Sequence, residues 1–423
     1  MVFIVHPSRL SGAVDIPGSK SHTIRALVFG LLGSGISVIE RPLDSSDTRS
    51  CLDMVRMFGA DIEMSAEGWI VNGTAGRPQV PNDVVNVGNS GTSLYIGLGT
   101  AALAPGWSVF TGDSQIRSRP AEGLIASIAE LGGEAFSTRG NGRPPIAVRG
   151  PLKGGATAIE AVTSQYLTSL LIASPLAEGD TIIRVPLLNE KPYVTMTLAW
   201  LDRLGIRYVN DNYTSFSIPG GQSYPAFRFA IPADFSSATF FLVAAAITGS
   251  RITLRGLDWN DSQGDKQVAT ILADMGAGVE VDERAITIAG GELRGGVFDL
   301  NAIPDALPAL AVAASFAEGE TRLVNVPQAR LKETDRISVM REELTKLGAD
   351  IQELPDGLIV RGRRLKGARV NGRGDHRVVM ALAVAGMRAE GETVIETAES
   401  AAVTFPDFAR LMGSIGANIT SRE

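Results

Sequence analysis

The chain has 423 residues, 44% hydrophobic and 20% charged, the composition of a soluble globular protein long enough for two or three domains. Its net charge of −7 lacks the basic excess of a general nucleic-acid binder, while leaving room for a local cationic pocket. One cysteine, Cys51, and three scattered histidines, His6, His22 and His376, exclude a disulfide framework within the chain and a Cys- or His-rich metal cluster.

The first segment, Met1 to Leu10, is too short in its apolar run for a signal peptide and lacks a basic start, so a cytoplasmic protein is expected. Lys20-Ser21-His22-Thr23 opens a helix in which Ile24, Leu27, Val28 and Leu31 recur at i, i+3, i+4 and i+7, and Gly35 turns the chain into a strand. Cys51-Leu52-Asp53-Met54-Val55 reads as a second helix with a buried structural thiol, ending at Gly59. Residues 84 to 112 carry no charge, but Asn86, Gly88, Asn89, Gly91, Pro105 and Gly106 interrupt them. A membrane span needs about 20 mostly apolar residues, so a buried helix with flanking turns is predicted, opened by Asn89-Ser90-Gly91-Thr92. A loop with Arg117 and Arg119 follows. Further helices open at Thr163-Ser164-Gln165, Asp234-Phe235-Ser236-Ser237, Pro304-Asp305 and Gly374-Asp375-His376-Arg377. Between the last two lies the charged run Lys332, Glu333, Asp335, Arg336.

These elements repeat. Helices ending in glycine before a strand place Gly59, Gly132, Gly205, Gly276, Gly348 and Gly416 at intervals of 68 to 73 residues. The turns after the more apolar helices place Gly35, Gly106, Gly179, Gly249, Gly319 and Gly391 at intervals of 70 to 73. Two landmarks keeping one period six times imply six copies of a strand–helix–strand–helix–strands unit. Ala244-Ala245-Ala246 and Ala311-Val312-Ala313-Ala314 mark the first helix of each unit as buried on most sides. Six such units form two lobes of three with a cleft between.

Ser, Thr, Asn and Asp at the six buried helix starts are good caps, and for Asp234 and Thr92 a plain cap is as good an explanation as a site. Capping does not explain Lys20, His376 or Arg377, because a cation at a helix N-terminus opposes the helix dipole. An anion lying between cation, dipole and free N–H groups resolves the conflict. A phosphate-binding cleft lined by helix N-termini is therefore expected. The run at Lys332 to Arg336 reads alone as a solvated face, but its repeat position places it with the helix starts. The fourth unit, with Asp234 and Ser236-Ser237, is expected to keep only its cap.

Gly18-Ser19-Lys20-Ser21 with Arg25, Asn89-Ser90-Gly91-Thr92, Arg119-Pro120, Ser164-Gln165-Tyr166-Leu167-Thr168, Lys191-Pro192-Tyr193, Ile303-Pro304-Asp305, Lys332-Glu333-Thr334-Asp335-Arg336 and Asp375-His376-Arg377 together resemble the 5-enolpyruvylshikimate-3-phosphate synthase family of enolpyruvyl transferases. The resemblance runs along the whole chain in order. It implies an α/β, two-lobe, inside-out barrel-like fold of six βαβαββ repeats, with residues 1–17 plus 233–423 in one lobe and 18–232 in the other. It implies attack of the 5-hydroxyl of shikimate 3-phosphate on phosphoenolpyruvate, with no metal or organic cofactor, in a monomeric enzyme that touches neither nucleic acid nor membrane. Lys20, Asp305 and Glu333 are implied as catalytic: Lys20 assists the leaving phosphate, Asp305 is the base and Glu333 the proton donor to C3. Lys20, Ser21, Arg25, Thr163, Ser164, Gln165, Tyr193, Asp305, Gln328 and Lys332 are implied for shikimate 3-phosphate. Lys20, Gly91, Arg119, Gln165, Arg336, His376 and Arg377 are implied for phosphoenolpyruvate, with arginine suited to a bidentate grip.

Four positions depart from the family's bacterial pattern. Val403 stands where a Lys reaches phosphoenolpyruvate, so a neighbouring cation or weaker affinity is expected. Glu190 stands where a Ser lines the shikimate phosphate, and its charge repels phosphate unless it turns towards Lys191 or Arg184. Gln328 replaces an Asn and Thr163 a Ser, both keeping their hydrogen-bonding chemistry. The rivals are a paralogous enolpyruvyl transferase with another hydroxyl acceptor, an RNA 3′-phosphate cyclase, and a non-catalytic anion-binding protein. The last needs neither Asp305 nor Glu333, and the cyclase needs a basic face that is missing.

Overall fold

The computed structural model describes residues 1–65 and 67–423. Contacts divide the chain into two compact units, one of Met1–Pro17 with Pro232–Glu423 and one of Gly18–Ile231. Each has its own hydrophobic core. The chain is α/β, as expected. Among the described residues the α-helices are α1 (Lys20–Leu32), α2 (Ser46–Met57), α3 (Gly91–Ala101), α4 (Glu122–Glu130), α5 (Ser164–Ala173), α6 (Lys191–Arg203), α7 (Phe235–Thr248), α8 (Gln267–Met275), α9 (Leu307–Ser315), α10 (Arg336–Lys346), α11 (His376–Gly386) and α12 (Phe408–Ser414).

The second repeat shows the plan. Strand Val85–Asn86 leads through buried α3 to the parallel strand Ser108–Thr111, then through half-exposed α4 to the antiparallel pair Glu134–Ser137 and Ile146–Arg149. Six four-stranded sheets share this pattern of one parallel and two antiparallel pairings. In the first unit the N-terminal strands Val2–His6 and Ser11–Asp15 complete two sheets whose other strands come from beyond residue 250. That pairing makes the unit discontinuous in sequence.

The odd-numbered helices are buried on most sides, because beyond their polar first turns they are largely apolar. In α7, thirteen residues from Phe235 to Ile247 are buried. The helices α7, α9 and α11 pack against one another, while in the other unit α3 packs against α1 and α5. The periodic glycines have a backbone cause. Gly59, Gly132, Gly205, Gly276, Gly348 and Gly416 all have positive φ, from 70° to 114°. Each ends an even-numbered helix in the left-handed conformation that side chains resist, which fixes the landmark at glycine.

The uncharged stretch from 84 to 112 contains α3, as predicted, and among the described residues no helix is long and apolar enough to cross a membrane. Cys51 is fully buried, and burial pushes its thiol up to about 12, the state of an inert structural residue.

Candidate active site

In the unit Gly18–Ile231 the start of α1 is capped by Ser19, whose side chain accepts from the His22 N–H. Lys20 follows at the first helical position, and its Nζ lies 3.0 Å from Asp47 Oδ2. The anion expected beside Lys20 is thus supplied from within by Asp47. In sequence Asp47 looked like an ordinary acid in the first turn of α2.

One turn along, Arg25 is only 2% exposed. Its guanidinium donates to Thr197 Oγ1 at 3.0 Å, Thr168 Oγ1 at 3.4 Å, and the carbonyls of Tyr193 at 2.9 Å and Ser21 at 3.1 Å. All these acceptors are neutral. Burial therefore dominates and pulls the guanidinium down to about 10. A buried cation held by neutral oxygens is costly unless an anion joins it.

The start of α5 is occupied differently. Glu190 Oε2 accepts from Thr163 Oγ1 at 3.1 Å, the Ser164 N–H at 3.0 Å and Ser164 Oγ at 2.7 Å. By sequence alone Glu190 repels phosphate unless it turns towards Lys191 or Arg184; its carboxylate turns to the start of α5. Lys191 instead lies over the Tyr213 ring, 4.1 Å from its centroid, and Arg184 is exposed. The start of α5 offers N–H and hydroxyl donors and the positive end of the helix dipole, all of which favour a carboxylate. Gln165, the next residue, has a buried Oε1 with no hydrogen-bond partner.

Gly91 opens α3 behind the Ser90 cap. A Cβ built at Gly91 collides with Arg119 Nη1, so the missing side chain is what admits that guanidinium. The Arg119–Pro120 segment is pinned by the Tyr95 and Tyr166 hydroxyls, which both donate to the Pro120 carbonyl, at 2.9 and 2.6 Å.

In the other unit Arg336, at the first position of α10, is 1% exposed and gripped by three carboxylates. Its Nε donates to Asp375 Oδ2 at 2.8 Å, its Nη1 to Asp305 Oδ1 at 2.8 Å and its Nη2 to Glu333 Oε2 at 2.5 Å. Burial works against its charge, but Asp375, Glu333 and Asp305 outweigh it and push the guanidinium well above its ordinary value. Asp305 also meets Arg377 Nη2 at 3.0 Å and Lys332 Nζ at 4.0 Å. Glu333 is thus a hydrogen-bond acceptor on a guanidinium, whereas a proton donor needs the opposite state. Asp375, fully buried, caps α11 through the Arg377 N–H and also accepts from Thr334 Oγ1. Sequence reading placed Asp375 in a motif without a role. Its capping position was the available signal, and its grip on Arg336 was not visible.

Gln328 lies in the 3-10 turn Pro327–Leu331 and donates to the Asn301 carbonyl at 2.9 Å, while its buried Oε1 has no hydrogen-bond partner. A buried acceptor left without a donor costs about 1–3 kcal/mol, so a ligand hydroxyl suits it. His376 is buried at the start of α11, and its ring reaches within 4.8 Å of ligand atoms of Glu333 and Asp375. Those two carboxylates also accept from Arg336. Val403 ends the 3-10 segment Ala398–Val403, which packs on α11.

The fourth repeat holds more than its cap. Asp234 does cap α7, accepting from Ser237 N–H and Oγ. Ser236 Oγ, however, donates to buried Asp265 at 2.8 Å, and the Ser236 carbonyl accepts from Arg377 at 3.4 Å. Asp265 was missed by sequence reading, since Gly264-Asp265-Lys266 looks like an ordinary turn. Burial, and after it Asp305, pushes Asp265 from 3.8 up to about 6. A carboxyl whose folded value lies above its unfolded one stabilises the fold below the unfolded value, and that contribution is lost as pH rises through about 6. Asp265→Asn should therefore remove a pH dependence of stability of roughly 3 kcal/mol between about pH 4 and 7. Urea unfolding of both proteins across that window checks this, and parallel curves would exclude it.

The family model described as EPSP synthase (3-phosphoshikimate 1-carboxyvinyltransferase) matches residues 4–412. A protein of Acetivibrio thermocellus named 3-phosphoshikimate 1-carboxyvinyltransferase is 58% identical over 423 residues, covering 100% of both chains. One of the same name from Ruminiclostridium cellulolyticum is 55% identical over 419 residues, covering 99% of each. A solved EPSP synthase structure from Acinetobacter baumannii superposes with a TM-score of 0.83 at 29% identity, covering 100% of both chains.

Proposed function

The chain belongs to the EPSP synthase family, and from that premise we infer that it transfers the enolpyruvyl group of phosphoenolpyruvate to the 5-hydroxyl of shikimate 3-phosphate, releasing phosphate. It is a transferase of the shikimate pathway, which leads to the aromatic amino acids. The observation that carries the reading is Asp305, a carboxylate bracketed by Arg336, Arg377 and Lys332 with Glu333 on the same guanidinium. Two carboxylates for opposed proton transfers stand among cations suited to a carboxylate and two phosphates.

The proposed sequence is as follows. Asp305 takes the proton of the 5-hydroxyl as its oxygen attacks C2 of phosphoenolpyruvate. Glu333 protonates C3, giving a tetrahedral adduct. Glu333 then takes a proton back from C3 as phosphate leaves, assisted by Lys20 and carrying away the proton that Asp305 took, which restores the vinyl group and both carboxyls to their starting states. Glu333 can serve only after Arg336 turns its donors to an incoming anion. Substrate binding thus frees the acid.

Ser21, Arg25, Thr163, Ser164, Gln165, Tyr193, Gln328 and Lys332 are proposed to hold shikimate 3-phosphate. Gly91, Arg119, Gln165, Arg336, His376 and Arg377 are proposed to hold phosphoenolpyruvate. The protein is proposed to act as a cytoplasmic monomer. Gly91→Ala should displace Arg119 and raise the KM for phosphoenolpyruvate about 10- to 100-fold, while the KM for shikimate 3-phosphate changes little; equal shifts in both would remove Arg119 from its assigned substrate.

The test is phosphate release from phosphoenolpyruvate with a panel of hydroxyl acceptors. Release with shikimate 3-phosphate is expected. Silence with it at high enzyme concentration, alongside release with another acceptor, would move the assignment to a paralogous transferase. Glu190 on the Thr163–Ser164 donors is the feature that favours that second outcome.

A further inference from the structure

Glu190 has left the place its backbone offers. It precedes α6 with φ of 58°, a left-handed conformation uncommon for a residue with a side chain, and its carboxylate does not cap α6. The side chain reaches back to α5, where one oxygen takes three donors and the residue is 1% exposed. Those donors, Thr163 Oγ1 and the Ser164 N–H and Oγ, are ones the proposed function allots to shikimate 3-phosphate, and position 190 is where the family's Ser lines its phosphate. Arg25 belongs to the same cluster: it donates to the Tyr193 carbonyl, and the Tyr193 N–H donates to the Glu190 carbonyl at 3.0 Å. A carboxylate and a phosphate cannot both use one set of donors, and side by side they repel.

We propose that Glu190 is a specificity-determining residue, a resident anion that competes with the acceptor's phosphate for the start of α5. The inference rests on the proposed function for the identity of that acceptor. The phosphate enters as Glu190 swings out, so affinity is set by the difference between two anions on one set of donors. An acceptor without phosphate leaves Glu190 in place. The residue thereby lowers affinity for the phosphorylated acceptor and for free phosphate by the same mechanism.

Two variants test it. Glu190→Gln keeps the length and an acceptor oxygen but removes the charge, and Glu190→Asn keeps a residue that tolerates the left-handed backbone. Both should lower the KM for shikimate 3-phosphate about tenfold or more, with kcat and the KM for phosphoenolpyruvate moving much less. Protection against thermal unfolding by inorganic phosphate should appear at correspondingly lower concentration. If both variants fold and leave the shikimate 3-phosphate KM and the phosphate protection unchanged, or weaken them, Glu190 is a fixed structural cap and the inference falls. The phosphate arm needs no turnover. Loss of the wild-type activity reading is therefore distinguishable from loss of this one.

Discussion

Asp305→Asn is expected to lower kcat by about 10²- to 10⁴-fold, the range for removing a positioned general base. The KM values should hold or fall. The variant retains Lys332, Arg336 and Arg377 but loses the negative charge that now engages all three, so anionic substrates meet less competition. Arg336 keeps Asp375 and Glu333, so the fold should survive. Steady-state kinetics with a parallel unfolding curve decide it. A kcat within a few-fold of wild type would transfer the base role elsewhere, with Asp265, which interacts electrostatically with Asp305, the next carboxyl to test.

Arg336→Gln should be costly to the fold as well as to catalysis. It leaves fully buried Asp375 and nearly buried Glu333 without the guanidinium that compensates them. Breaking one side of a buried ion-pair network typically costs about 3–5 kcal/mol, mostly because a charge is stranded. Urea unfolding at pH 8 measures this. A loss below about 1 kcal/mol at pH 8 would mean that water reaches the cage and that Arg336 is worth only a surface pair. Phosphoenolpyruvate binding should be lost in either case.

Both variants bear on one property of the protein. Several of its cations and helix starts meet its own carboxylates: Asp47 with Lys20, Glu190 at α5, and Asp305, Glu333 and Asp375 with Arg336. Arg25 instead is held by neutral oxygens. Under the proposed function, substrate anions exchange for these internal ones, and the exchange at Arg336 releases Glu333.

The repeat was legible in the sequence because its cause is local. A helix that must stop in the left-handed conformation selects glycine wherever it occurs, so Gly59, Gly132 and Gly205 record the period without any knowledge of the partner strands. The buried helices were legible for a similar reason, since an all-apolar helix has nowhere else to go. Lys20, His376 and Arg377 stood out at helix starts, where capping does not explain them, and Glu333 and Arg336 through the repeat position of their loop; the role of Asp305 came with the family motifs. The order of motifs along the chain completed the family assignment.

The countercharges were a different matter. Asp47 and Asp265 sit in ordinary-looking first turns, and Glu190 precedes a helix it does not cap. Their partners lie 26 to 29 residues away, as with Asp47 to Lys20, Glu190 to Ser164 and Asp265 to Ser236, across strands whose pairing only the folded chain supplies. Chain-local physics, cap chemistry and period, determined the six-fold unit and where the cations stand. Tertiary structure alone decided which carboxylate each cation meets, because that depends on long-range packing and on competition among desolvated donors.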